Sequence, residues 1–446
     1  MVRLKIFVHD HFTSFRTILL AFLCLIVVGA FLLSLPISSA SGQTTNFLDA
    51  LFTSSSAVCV TGLIVRDTAT HWSFFGQFII LLLIQFGGLG VITIAITTLI
   101  FTGRRIGIMQ RSTMQDAISA PQIGGIVRFT KFIFLGTILI ELLGACLLST
   151  VFIKDYGWLR GTWLSIFHSI SAFCNAGFDL LGQSGNQTSL MPYANNPIIC
   201  ITICLLIVAG GIGFLTWRDL IDEKFQYKTV RLQTKIVLLT TFWLILLSFL
   251  YFYFIEFTQY QFQDRFLIAL FQSITPRTAG FSTINYATMS QGGLLITILL
   301  MLIGGAPGST AGGIKVTSLF VLVAFTNAFI RKKDDVNFSQ RRIGIEVVAH
   351  AIAILFIYFF LLILGGHVLA SVEKLDLLVA LFECASALGT VGLSTGITAD
   401  LSEISKLILI SFMWFGRIGV LTIAYATIRT SNKVPSRFPT EKIVIG

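Results

Sequence analysis

Ala50-Leu51-Phe52-Thr53-Ser54-Ser55-Ser56-Ala57-Val58-Cys59-Val60-Thr61-Gly62-Leu63 opens with an apolar stretch too short to cross a bilayer and closes on small residues and a glycine. The pattern recurs three times. The second copy is Ser165-Ile166-Phe167-His168-Ser169-Ile170-Ser171-Ala172-Phe173-Cys174-Asn175-Ala176-Gly177-Phe178. The third is Ala269-Leu270-Phe271-Gln272-Ser273-Ile274-Thr275-Pro276-Arg277-Thr278-Ala279-Gly280-Phe281. The fourth is Ala380-Leu381-Phe382-Glu383-Cys384-Ala385-Ser386-Ala387-Leu388-Gly389-Thr390-Val391-Gly392-Leu393. The closing glycines stand at 62, 177, 280 and 392, separated by 115, 103 and 112 residues. One such glycine carries little weight, but four at matching positions define an internal repeat.

Outward from these blocks lie eight stretches apolar enough to span a membrane, at 17–37, 74–101, 126–153, 197–217, 236–257, 292–330, 347–372 and 405–428. Each short block sits between two of them. The predicted fold is therefore an all-α integral membrane protein with four helix–re-entrant loop–helix repeats and eight transmembrane spans around a central pore. Repeat 1 takes residues 1–105 with its pore loop at 46–66, and repeat 2 takes 106–222 with its loop at 161–181. Repeat 3 takes 223–335 with its loop at 264–284, and repeat 4 takes 336–446 with its loop at 375–396 and a C-terminal tail. Glycine packing between helices would account for the small residues. It would not account for a too-short apolar segment before each of them.

Composition agrees. Of 446 residues 55% are apolar and only 12% charged, with a mean hydropathy of +0.87. That excludes disorder, a coiled coil, a secreted disulfide module and an ordinary cytosolic enzyme. The net charge of +10 does not point to nucleic acid, because no basic run is interleaved with stacking aromatics. Instead, 22 of the 31 basic residues fall at the termini and between repeats, in clusters such as Arg104–Arg128, Lys224–Lys235 and Arg331–Arg342. Six lie on the opposite side. The bias places both termini in the cytoplasm, gives every repeat the same orientation, and makes the loops dip from outside. Arg3, Lys5 and Arg16 before an apolar run imitate a signal peptide. The run is long for one, so an uncleaved first span is expected. The seven cysteines read as small buried hydrophobes, not as disulfides or metal ligands.

Non-helical backbone at membrane depth must be buried or line water. Four such segments around one axis can line a shared pathway, where carbonyls replace the hydration shell of a cation. The short helix before each loop turns its partially negative C-terminus toward that pathway. The expected ion-binding residues are Val60, Thr61 and Gly62; Asn175, Ala176 and Gly177; Thr278, Ala279 and Gly280; and Thr390, Val391 and Gly392, with K⁺ held at their backbone carbonyls.

The sixth apolar stretch is interrupted by Gly304-Gly305-Ala306-Pro307-Gly308-Ser309-Thr310-Ala311-Gly312-Gly313. Five glycines and a proline cannot sustain a helix, so a mobile plug, a gating loop over 304–314, is expected there rather than a fixed kink. Arg417 lies in an otherwise uncharged span, where a charge costs several kcal/mol and points to function. Unpaired it would repel a cation, so it suits a gate, with loop carbonyls around Gly308 as candidate partners. Glu141 is expected to find a partner on a neighbouring helix or at a subunit contact. Arg277 is expected to brace the third loop, Lys315 to snorkel toward the cytoplasm, and His168 to pack or cap. His9 and His11 beside Asp10 give only a weak metal signal. No GxGxxG, P-loop, HExxH or GxSxG motif occurs, so no enzyme and no resident cofactor are expected. An alternating-access cation symporter is the rival reading. It calls for inverted repeats and a midplane acidic cluster.

The segments Thr61-Gly62-Leu63, Asn175-Ala176-Gly177-Phe178, Thr275–Phe281 and Gly389-Thr390-Val391-Gly392-Leu393 resemble the four filter loops of the Ktr/Trk/HKT superfamily of potassium transporters. The resemblance is strongest to the bacterial KtrB-type membrane subunit, and it extends to the tail Ser436-Arg437-Phe438-Pro439. It implies K⁺ selectivity from four filter glycines, with Na⁺ a further candidate ion. It also implies a homodimer in the plasma membrane, each protomer with its own pore. A cytosolic ring of nucleotide-binding (KtrA/KtrC-like) regulatory subunits and an intramembrane gating loop complete the implied assembly.

Overall fold

The structure, a computed structural model, describes residues 14–90, 115, 124–182 and 189–419. Outside it fall Arg3, Lys5, His9, Asp10, His11, Arg104, Arg105 and Arg111, the distal parts 91–101 and 420–428 of two expected spans, and the tail with Arg429, Lys433, Arg437 and Lys442.

The chain is almost entirely helical. The first quarter gives α1 (Ser14–Ser34), α2 (Phe47–Val58) and α3 (Phe74–Leu89). Next come α4 (Ile126–Tyr156), α5 (Trp158–Phe173), α6 (Pro197–Gly211) and α7 (Phe214–Asp222). The third quarter has α8 (Leu232–Tyr251), α9 (Phe262–Ile274), α10 (Gln291–Leu302) and α11 (Val316–Ile330). The last has α12 (Ile345–Glu373), α13 (Leu377–Gly389) and α14 (Glu403–Ile418). A long helix followed by two shorter ones occurs four times. The second of the shorter helices in each set starts on a side chain that accepts from its first-turn amides: Ser73, Asn196, Ser290 and Ser402. Two of these caps are tied back to the end of the long helix before them. Ser290 N donates to Glu256 at 2.8 Å and Ser402 N to Glu373 at 2.9 Å.

Among the described residues four helices are long and apolar enough to cross a membrane, and a fifth span results if α6 and α7 count as one. Only 22–33% of the most apolar window of each of the four is buried inside the protein, so their outer faces suit hydrocarbon. The expected span 197–217 is not one straight helix: α6 and α7 meet at 90°. The expected stretch 292–330 is α10 and α11 on either side of the glycine-rich loop. Among the described residues one hairpin departs from an all-α chain. Val336–Phe338 and Arg341–Ile343 pair antiparallel as β1 and β2 in the basic linker after α11. Ser339 and Gln340 between them take φ +50° and +61°, the left-handed pair that a tight two-residue hairpin needs.

Candidate ion pathway

The short helices α2, α5, α9 and α13 bring the four small-residue segments to one place, nearly all at or below 1% exposure. Their backbones repeat. Two residues before each glycine the chain turns left-handed, at Val60 (φ +56°), Asn175 (+59°), Thr278 (+67°) and Thr390 (+51°). Each glycine again has positive φ, +93°, +69°, +79° and +92° for Gly62, Gly177, Gly280 and Gly392. Three of the four residues before the turn are β-branched, for which such a conformation is a strain of about 1–3 kcal/mol. The strain is held by hydrogen bonds. Gly62 N donates to Ser56 Oγ and Gly392 N to Ser386 Oγ, both at 3.0 Å. Ser171 Oγ donates to Phe178 O at 2.7 Å and Thr275 Oγ1 to Phe281 O at 2.5 Å.

The glycines form a closed ring. A side chain on Gly62 would run into Ala176 O, one on Gly177 into Ala279 O, one on Gly280 into Val391 O, and one on Gly392 into Thr61 O. Each glycine therefore abuts the carbonyl of the residue before the next glycine, and the fourth copy returns to the first. Only a residue without Cβ permits this approach. All twelve residues singled out in the sequence meet here.

On one side of the ring lies a cavity of about 600 Å³, lined by the four glycines and the residues after them. Its only acidic lining residues, among those described, are Asp179 and Asp400.

On the other side lies the glycine-rich loop. Gly304 approaches Thr278 and Gly312 approaches Thr390, the residues two before their glycines. Thr310 Oγ1 donates to Phe173 O at 3.1 Å and Thr310 N to Gly210 O at 3.3 Å. Ala306 N donates to Gly211 O at 2.8 Å, and Gly308 O accepts from Phe214 N at 2.9 Å. Pro307, Ser309, Ala311 and Gly313 complete the segment, with Ser309 Oγ donating to Ala306 O at 2.6 Å. The loop thus rests in the 90° break between α6 and α7.

Arg417 reaches across this region. It donates to Thr310 O of the loop, to Gly87 O and, at 3.1 Å, to Gly88 O at the C-terminus of α3. Those carbonyls carry the negative end of the helix dipole. The partner is two residues from Gly308, within the expected stretch. Lys315 departs from expectation. Its Nζ turns back to Ala311 O (2.8 Å) and Gly312 O (3.2 Å) instead of reaching for an interface, because the loop presents acceptors close at hand. Among the described residues neither cation has a carboxylate within ion-pair distance. Arg277 is buried and donates to Thr241 Oγ1 (3.4 Å) and Gly304 O (3.5 Å), so it ties the third segment to the loop. Glu141 finds its partner on a neighbouring helix: Gln85 Nε2 of α3 donates to it at 3.2 Å. Lys315 escaped the sequence reading. Glycines of nearly equal conformation follow three helices: Gly90 directly after α3, Gly213 after α6 and Ile212, and Gly419 directly after α14, at φ +84°, +86° and +90°.

A polytopic helical bundle that closes four strained, small-residue turns into a carbonyl-lined ring belongs to the class of membrane transporters for cations. The chain is a member of the TrkH family of cation transport proteins, whose family model matches residues 10–437. It is 37% identical to the potassium/sodium uptake protein NtpJ of Enterococcus hirae, over the whole of both chains. It is 37% identical to the Ktr system potassium uptake protein B of Bacillus subtilis, over 98% of this chain and 97% of that one. The crystal structure of the potassium transporter TrkH from Vibrio parahaemolyticus superposes with a TM-score of 0.72 at 21% identity, over 94% of this chain and 86% of that one. The last comparison establishes the fold. These relatives are cation transporters, not enzymes.

Proposed function

We propose that the chain is the ion-translocating subunit of a Ktr-type potassium uptake system in the plasma membrane. Four parallel repeats with eight spans surround one pore. The carbonyls flanking Gly62, Gly177, Gly280 and Gly392 are its selectivity filter. The observation that carries this reading is the closed ring of glycines against carbonyls, which sets backbone oxygens with no intervening side chain, the chemistry that replaces a cation's hydration shell. Gly304–Gly313 is the gate and Arg417 its latch: two cations with no carboxylate partner among the described residues, Arg417 and Lys315, sit on the inner side of a cation filter. Both termini are cytoplasmic. The name of the Bacillus subtilis relative supports a K⁺ cargo, and that of the Enterococcus hirae relative supports Na⁺ as a second ion. The working assembly is a homodimer on a cytosolic nucleotide-binding ring, which docks on the basic linkers Arg104–Arg128, Lys224–Lys235 and Arg331–Arg342. Alternating access is disfavoured because the copies read as sharing one orientation, where it calls for inverted repeats.

The test is potassium uptake in a transport-deficient cell, with and without a cytosolic Ktr-type partner. Uptake that rises with the partner and is selective for K⁺ over Na⁺ is expected. A well-inserted protein that moves no K⁺ with either would refute the proposal.

A further inference from the structure

In three of the four repeated blocks the fourth residue, near the end of its short helix, has a partner beyond the glycine. Glu383 in α13 is completely buried. Its Oε1 accepts from Ser394 Oγ (2.7 Å), Thr395 N (3.0 Å) and Thr395 Oγ1 (3.2 Å), and Thr398 Oγ1 lies 2.9 Å from Oε2. Gln272 occupies the same place in α9 and donates to Thr283 Oγ1 at 3.1 Å, while its own carbonyl accepts from Tyr286 Oη. His168 occupies it in α5, and its Nε2 accepts from Leu180 N at 3.4 Å. Thr283, Leu180 and Thr395 each stand three residues after their glycine, and Tyr286 and Thr398 stand six after. Three chemically different side chains therefore make one contact in one register. In the first copy the place holds Thr53, too short to cross, which bonds its own helix at Asp49 O. Thr68, six residues after Gly62, is buried there with an unpartnered hydroxyl. The outer limb of that copy is held instead by Arg66, which pairs with Asp49 at 2.9 Å.

Resting on the filter reading above, we propose that Glu383, His168 and Gln272 are positioning residues for ion selectivity. Each holds the outer limb of its loop, and so fixes where the carbonyls beside the glycine stand. None touches the ion path, since each acts through the limb it holds. Glu383 matters most. Thr395 N can only donate and the three hydroxyls can each donate to it, and an ionised carboxylate is acceptor-only, so the charged side chain can accept from all four groups at once. Its hydrogen bonds are charge-assisted and stronger than those of a neutral amide. Glutamine would turn an NH₂ toward at least one of the donors.

The experiment uses the full chain in liposomes, with rubidium-tracer uptake measured against increasing Na⁺ and against K⁺ to obtain KM and maximal rate. Glu383→Gln is expected to lower discrimination against Na⁺ by about tenfold and raise KM for K⁺, with the maximal rate nearly kept. Ser394→Ala should shift both in the same direction by less. His168→Gln places the third copy's residue in the second copy and should keep selectivity, whereas His168→Ala should lose it. A merely structural residue would lower the amount of active protein and leave selectivity and KM alone. Wild-type selectivity in folded Glu383→Gln overturns the proposal. Should that variant not fold, wild-type selectivity in Ser394→Ala and equal behaviour of the two His168 variants overturn it. Gly392→Ser is measured alongside. If it loses selectivity while the positioning variants do not, the filter reading stands and the positioning role falls. If Gly392→Ser also keeps selectivity, the filter reading itself fails.

Discussion

Gly177→Ser tests the ring where its cost can be worked from distances. A Cβ on Gly177 would lie 2.7 Å from Ala279 O and 2.8 Å from Gly280 Cα, while ordinary contact begins near 3.4 Å. The neighbouring backbone must therefore give by about 0.7 Å. It cannot give freely, because Gly280 is itself wedged against Val391 O. Overpacking of this kind costs about 1–3 kcal/mol, and a non-glycine residue at φ +69° adds about 1–3 kcal/mol. The sum stays below the total stability of most folded domains, about 5–15 kcal/mol, so folded protein should be recoverable. On the proposed filter reading, the displaced carbonyls are those that coordinate the ion. If even about 1.4 kcal/mol of the cost falls on K⁺ relative to Na⁺, discrimination drops about tenfold. Rubidium-tracer uptake into liposomes against rising Na⁺ reads this directly. A monodisperse Gly177→Ser protein with wild-type selectivity would refute the ring as the filter.

Three further outcomes follow from the same geometry. Arg417→Ala removes the donor to Thr310, Gly87 and Gly88 and should raise K⁺ flux and weaken its dependence on the cytosolic partner; flux at or below wild type counts against the latch. Deleting two or three residues around Gly308 should likewise raise flux, whereas a static kink would respond with misfolding or a fall. Asp49→Asn strands Lys406, which is largely buried and 3.1 Å from the carboxylate, and should lower stability by on the order of 3 kcal/mol, read as a lower melting temperature in detergent. An unchanged melting temperature would show that Lys406 finds water instead.

The short helices and the left-handed turns that follow them were legible because they leave local marks: a too-short apolar run, then a glycine, at fixed offsets. The loop over 304–314 was legible for the same reason. What escaped the reading depends on approach in space. The 90° bend between α6 and α7 occupies a stretch whose hydropathy reads as one continuous span, since Gly210-Gly211-Ile212-Gly213 are apolar enough to pass. Lys315 was misread because snorkelling is the default for a lysine near a span end; the acceptors it uses, Ala311 O and Gly312 O, belong to a loop whose path the sequence does not fix. Glu141 was left with two kinds of partner, and only the packing of α4 beside α3 brings Gln85 to it. The hairpin at 336–343 is too short for alternation to reveal.

The third copy is the instructive exception. It has 11 positions from block start to glycine where the others have 12. The missing residue is absorbed at the helix end. In three copies the amide before the glycine donates to a carbonyl five residues back, Thr61 to Ser56, Ala176 to Ser171 and Val391 to Ser386. In the third, Ala279 donates to Thr275, four back. Downstream of that turn nothing changes: Thr278 and Gly280 keep the left-handed conformations of their counterparts. A length change was thus accommodated everywhere except in the ring, as expected if carbonyl positions in the ring are what function constrains. The reverse holds on the loop side. There glycines of like conformation follow α3, α6 and α14, at Gly90, Gly213 and Gly419, and among the described residues only α10 runs into the glycine-rich loop, which Arg417 and Lys315 hold. A site that must coordinate one spherical ion from all sides needs near-symmetry. A gate needs the opposite, one element that can move while three stay. The chain places its symmetry and its asymmetry on opposite faces of the same ring.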